Sequence, residues 1–452
     1  MLTTLIAALG MLLTIFFVVG IHETGHFLAA RLLGVKILRF SIGFGKTLFH
    51  WYDKKGTEYV LAMIPLGGYV KMLDDDEEIV AKEDLKFAYY KQPFYKKIII
   101  VAAGPVFNLL FAFIIYWAIF VVGFVSIVPI TGHITPHSIA ATAGLKPNQE
   151  IIRMDNIPTH SWMSVIIRIL SHMGDADQIS IETKPLGAPG ISHYTLNLSH
   201  WHMDKLKPDP LASLGISVYE PIIPTVIGRI EPNTPAARSG LAIGDKIIRI
   251  NAQPIENWTE MSDMISDNPN KTLSFEIEHQ GKKRTIPILI EAQHSWFSKP
   301  QGLLGISPDF TLPAYLTRHI QYNPIAALPH AWQNMMDFCY LNFLTLEKLL
   351  TGKASIKSLG GPISILTSAG ASLNQGILPF FSFLAFLSIA IGVLNILPIP
   401  GLDGGHILFQ LIETLLQRPL SPRIQLFCYR LGFAILILLI IQSVTNDVLR
   451  LA

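Results

Sequence analysis

From Met1 to Ile21 the chain contains no Asp, Glu, Lys or Arg, and this run ends in His22-Glu23-Thr24-Gly25-His26. An apolar stretch of that length reads as a membrane-spanning helix. On such a helix, residues four apart share a face, so both imidazoles point at one spot. Neutral imidazole is a good Zn²⁺ ligand, and Glu23 stands where it can take a proton from a water molecule polarised by the metal. The same five-residue pattern also occurs in proteins that hold no metal. Its position argues against coincidence here, because three ionisable groups at membrane depth are costly unless they serve a function.

Three further stretches are long enough to span: Ile98 to about Phe124, about Gly376 to Ile396, and about Ile424 to Val444. Only 15% of the 452 residues are charged and 50% are hydrophobic. Soluble domains carry about a quarter charged residues, so the composition fits membrane helices joined to some soluble mass. A net charge of +2, without a block of Lys or Arg, gives no reason to expect a nucleic-acid partner. Cys339 and Cys428 lie far apart and suggest neither a disulfide framework nor a cysteine metal site. The first stretch lacks a basic leader and carries the histidines at its end, so it is not expected to be a cleaved signal peptide. Twelve Lys and Arg residues lie between Arg31 and Lys97, and Arg418 and Arg423 lie between the third and fourth stretches. Both loops therefore read as cytoplasmic, with the two termini and the long segment from about 125 to 375 outside.

Residues 36–71 combine aromatic and β-branched runs around the turn Asp53-Lys54-Lys55-Gly56, which predicts a β-hairpin. It is apolar enough to dip into the bilayer. An edge strand over 58–70, with Val60 and Leu61 within it, could pair with an extended peptide, or the hairpin could simply brace the helices. Asp74-Asp75-Asp76-Glu77-Glu78 reads as a solvated acidic turn. Asn108, in the second stretch, needs a hydrogen-bond partner, and an interhelical contact is the plain expectation.

The outer segment repeats itself at a constant offset of 96. Gly132 meets Gly228, Pro136 meets Pro232, and Gly144-Leu145 meets Gly240-Leu241; Ile151-Ile152-Arg153 meets Ile247-Ile248-Arg249, and Trp162 meets Trp258. Two similar small domains follow, closed by Leu214-Gly215-Ile216 and Leu304-Gly305-Ile306. The pattern resembles PDZ domains, most clearly in Gly240-Leu241-Ala242-Ile243-Gly244-Asp245-Lys246-Ile247-Ile248. PDZ domains bind extended peptides by strand addition. A pair that only occludes the membrane core is the other expectation. Beyond it, Ala326 to Leu350 has the apolar spacing of an amphipathic helix on the outer face.

The third stretch ends in Leu394-Asn395-Ile396-Leu397-Pro398-Ile399-Pro400-Gly401-Leu402-Asp403-Gly404-Gly405-His406. Prolines and glycines unwind a helix there, which membranes tolerate where backbone lines a polar cavity. A catalytic Zn²⁺ keeps three protein ligands, and the first and third stretches run in the same direction, so the two motifs arrive at one end. Asp403 is the first choice for the third ligand, with His406 as competitor. Asn395 lies two turns earlier, where its amide could hold substrate backbone or only another helix.

Together, the HExxH pattern, Asn395-x-x-Pro398…Leu402-Asp403-Gly404 and the intervening repeat resemble the site-2 protease family of intramembrane zinc metalloproteases. The resemblance covers nearly the whole chain and is greatest to the Gram-negative branch, the regulator-of-sigma-E proteases. It implies an α-helical polytopic membrane protein with four transmembrane helices, a membrane-associated β-hairpin and two tandem PDZ-like α+β domains. It implies Zn²⁺ on His22, His26 and Asp403, Glu23 as general base, and Asn395 in substrate positioning. Gly43-Phe44-Gly45 matches the family's GxG, which implies a substrate-facing role for Gly43 and Gly45. Implied substrates are single-pass membrane proteins already shortened outside, such as anti-sigma factors, and leftover signal peptides, in a bacterial inner membrane. The expected division is 1–35, first helix; 36–95, cytoplasmic loop with hairpin; 96–125, second helix; 126–220 and 221–310, PDZ-like domains; 311–375, linker with amphipathic helix; and 376–452, third and fourth helices. A peptide-binding scaffold with a structural metal, and a metal transporter, are the rival readings. The first makes Glu23 dispensable; the second needs further intramembrane acids or histidines, which the stretches lack.

Overall fold

The computed structural model describes residues 2–74, 84–174, 177–204, 209–295, 298–418 and 420–451. The acidic run at 74–78 therefore falls almost entirely outside the described residues. Helix α1 spans Leu2–Leu32 and α2 spans Phe94–Val122. Short helices α3 (Trp162–Ser171) and α4 (Trp258–Ser266) belong to the β-rich segment. Then come α5 (Pro324–Leu350), α6 (Pro362–Gln375), α7 (Ile377–Ile396), α8 (Asp403–Leu416) and α9 (Pro422–Leu451). By length and composition, α1, α2, α7 and α9 could each cross a membrane.

An uncharged helix hydrophobic all round must be covered by other helices or by lipid. The covered faces meet in one cluster containing Val18 of α1, Ala112 and Tyr116 of α2, Phe338 of α5, and Leu384 and Ile389 of α7. The helix expected on the outer face joins this bundle: Phe338 stacks on Tyr116 and meets Phe386 edge-on. Its apolar stripe is thus used against α2 and α7. Cys339 is buried within it, and Cys428 is half-buried on α9; neither forms a disulfide.

Strands β1 (Ile37–Tyr52) and β2 (Glu58–Met72) form the hairpin. It is folded back on itself. Residues 39–42 have partners on two sides, Glu58–Leu61 and Gly68–Lys71, while 58–61 also pair with Phe49–Tyr52. Gly43 and Gly45 sit at the bend with φ of +94° and +85°, a region L side chains avoid. This corrects the edge expected at Val60 and Leu61. Val60 lies between Ser41 and His50, and Leu61 between Ile42 and Phe49, so both are interior. Among the described residues, the segment from Gly68 to Met72 has strand partners on one side only. Arg31 ties the hairpin to α1 through Asp53 at 2.7 Å. Desolvation at Asp53 is outweighed by the Thr57 N–H, the Arg31 guanidinium and the Lys55 N–H, which hold its carboxyl below the usual carboxylate range.

The repeated segments build two units of one topology. In the first, the sheet order is Ile157–Pro158, Gln149–Met154, Gln178–Pro185, Ser192–Asn197; in the second it is Gln253–Pro254, Lys246–Ile250, Thr272–His279, Lys282–Leu289. Each carries a helix capped at its N-terminus by a side chain, Ser161 for α3 and Asn257 for α4. Ile134 pairs with Ile216 in the first unit, and Ile230 with Ile306 in the second. Separate cores, around Ile151 and Ile181 and around Phe275 and Ile247, show that each unit buries its own apolar face.

Candidate metal centre

Helix α1 carries His22, Glu23 and His26 on one face, and α2 crosses it closely. A Cβ on Gly25 would stand 2.4 Å from the Ala103 carbonyl oxygen, so the glycine is what allows the crossing. Asp403 arrives from the far end of the chain as the first residue of α8, where a helix N-terminus favours negative charge.

The three side chains meet. His22 Nε2 lies 3.3 Å from His26 Nε2 and 3.1 Å from Asp403 Oδ2, and His26 Nε2 lies 3.4 Å from the same oxygen. A tetrahedral zinc site with bonds of 2.0–2.1 Å has ligand-to-ligand edges of about 3.3–3.4 Å. Asp403 Oδ2 is buried and has no hydrogen bond of sound geometry. Two nitrogens and an orphaned carboxylate oxygen at these separations fit a divalent cation placed between them. Among the described residues, this is the only cluster of three His, Cys, Asp or Glu side chains able to hold a metal ion. Glu23 is 9% exposed and borders the site; a Cβ on Gly68 would stand 2.8 Å from its Cγ. The free edge from Gly68 therefore passes directly beside Glu23.

A second ring of contacts comes from α2. His26 Nδ1 donates to the Ile100 carbonyl at 2.8 Å when that nitrogen carries the proton. The Asn108 amide nitrogen lies 3.3 Å from His22 Nδ1, and Ser388 of α7 donates to the Asn108 carbonyl at 3.0 Å. Asn108 thus has its interhelical contact, and the partner is a histidine of the cluster. Gly104 lies between these two levels: a Cβ there would stand 2.3 Å from His26 Nε2 and 2.8 Å from His22 Cε1. Gly104→Ala is accordingly expected to displace both rings and weaken zinc binding by about 10–100-fold or more, the loss usual for disturbing a metal site's surroundings. Metal analysis of the purified variant after dialysis against a chelator measures this. The signal in the sequence was the four-residue spacing of Gly104 and Asn108, which puts them on one helix face.

His406 does not join the cluster: its Nδ1 lies 3.1 Å from the Tyr429 hydroxyl. Asn395 is half-buried on the last turn of α7, and its amide makes no hydrogen bond to another described residue. Gly43 and Gly45 form the bend of the hairpin, and Val60 and Leu61 lie in its interior.

A profile of Peptidase family M50 matches residues 10–439. The regulator of sigma-E protease of Salmonella typhimurium is 40% identical over 451 residues, covering 100% of this chain and 98% of its own. The regulator of sigma-E protease of Escherichia coli K12 is 39% identical over 451 residues, with the same coverage. A chain of Vibrio cholerae named for zinc metalloprotease activity is 36% identical over 448 residues, covering 99% and 98%.

Proposed function

The chain belongs to Peptidase family M50 and is a zinc metalloprotease of the membrane-embedded, site-2 type; we propose that His22, His26 and Asp403 hold its zinc and that Glu23 is its general base. The observation that carries this reading is the convergence of the three donor atoms, two of them from the C-terminal half of a helix long and apolar enough to cross a membrane. Held by these three side chains, zinc would supply Lewis acidity toward a carbonyl and a water molecule. Glu23 would act as the general base, its carboxylate taking a proton from the attacking water and returning it to the nitrogen of the departing amine. Burial around Glu23 keeps bulk water from competing.

The substrates we propose are single-pass membrane proteins already shortened outside by another protease, with anti-sigma-factor-like chains and leftover signal peptides as examples. The names of the sigma-E relatives support that class. A membrane helix hides its own peptide bonds, so the substrate has to unwind before it can be cut. The one-sided segment from Gly68 to Met72, beside Glu23, offers the backbone groups to hold an unwound stretch. Adjacent residues of a strand send their N–H groups to opposite sides. Of Tyr69→Pro and Val70→Pro, one therefore removes a donor from the free edge and is expected to reduce cleavage while zinc content stays normal; the other disturbs the hairpin's own ladder. Normal cleavage by both variants would reduce the hairpin to a brace.

The repeated β units are read as a tandem PDZ pair outside the inner membrane, with both termini on that side, supported by the offset of 96 and by the Lys and Arg residues of the short loops. Standing over the membrane core, the pair either gates by size or captures the new end of a shortened substrate. The reading as a whole is tested with purified protein, a tagged single-span substrate and a zinc chelator. Chelation should abolish cleavage and added zinc should restore it; cleavage that persists with zinc removed overturns the assignment.

A further inference from the structure

A histidine that binds a metal through Nε2 must carry its proton on Nδ1, and that N–H needs an acceptor. For His26 the acceptor is the Ile100 carbonyl at 2.8 Å. His22 has no backbone acceptor among its described contacts; what lies 3.3 Å from its Nδ1 is the side-chain amide of Asn108. Asn108 is fully buried, and its Oδ1 has no partner. A half-turn about the Cβ–Cγ bond exchanges Nδ2 and Oδ1 and leaves everything else in place. With the nitrogen toward His22, the amide donates to Nδ1 and so requires the proton on Nε2, the atom that faces Asp403. With the oxygen toward His22, it accepts from Nδ1–H and leaves the Nε2 lone pair free. Either way one amide atom stays unpartnered, so the ion between the ligands decides the orientation.

We infer that Asn108 is the positioning residue of His22: its amide oxygen accepts the Nδ1 proton and holds the imidazole in the tautomer and orientation that a metal at Nε2 demands. The inference rests on the reading of His22 as a zinc ligand. Several contacts hold Asn108 in place. Ser388 donates to its carbonyl at 3.0 Å, and Gly392 packs against its Cβ, so α7 fixes the α2 backbone at this level. Helix α2 thereby serves both ligating histidines from one face, one through a carbonyl and the other through a side chain. The carbonyl survives any substitution at Ile100, whereas Asn108 can be replaced.

The test is zinc retention by the purified full-length chain in competition with a chelator of known affinity. Asn108→Leu keeps the volume and removes the acceptor, and zinc affinity should fall by about 10–100-fold. Asn108→Asp supplies a carboxylate oxygen at the same place, and affinity should stay in the wild-type range. A residue that only packs helices would show the reverse order, because Leu suits an apolar contact and Asp does not. Wild-type affinity in Asn108→Leu overturns the inference, as does loss in Asn108→Asp; if the Leu variant fails to fold, the Asp variant alone decides. His22→Ala separates this from the underlying reading. Loss of zinc in His22→Ala with full retention in Asn108→Leu sinks only the role of Asn108, whereas full retention in His22→Ala removes His22 as a ligand.

Discussion

Asp403→Ala is expected to leave the purified protein without stoichiometric zinc and without measurable cleavage. The substitution removes the single negative charge among the three donors, and the two Nε2 atoms left 3.3 Å apart provide only two ligands. Replacing a group one shell further out typically costs about 10–100-fold in metal affinity, so a ligand itself should cost more than about 100-fold. Among the described residues, His406 is not one of the side chains whose ligand atoms converge there. His406→Ala should therefore keep its zinc. Full zinc in Asp403→Ala together with loss in His406→Ala would move the third ligand to His406.

The long apolar helices and the paired histidines were legible because each is a local pattern: an uncharged run, or two residues four apart. The repeat was legible because it copies itself at a fixed offset, and the two sheets share one strand order. Contacts between distant segments were harder to read. Nothing near Asn108 indicates that His22, 86 positions away, is its partner; that follows from the closeness of α1 and α2 where Gly25 meets Ala103. The hairpin misled for a related reason. Alternating apolar residues mark 58–70 as strand, but pattern alone does not reveal that Gly43 and Gly45 turn β1 back and enclose Val60 and Leu61 between neighbours. Which of Asp403 and His406 stands beside the histidines is likewise a matter of packing, and in the fold it is Asp403 whose carboxylate lies near them.

In the proposed mechanism Glu23, a buried carboxylate beside the metal site, does the proton transfer. Glu23→Gln isolates that step, because glutamine has the same shape and cannot take a proton. Glu23 is not one of the three converging donors, so the metal should remain. A positioned general base contributes roughly 10²–10⁴-fold to rate. The most direct measurement pairs metal analysis with cleavage of a tagged single-span substrate, using wild type and Glu23→Gln from the same preparation. The predicted result is equal zinc in the two proteins and cleavage reduced by about 10²-fold or more in the variant. Equal zinc with equal cleavage would contradict the account and favour a scaffold whose metal is structural.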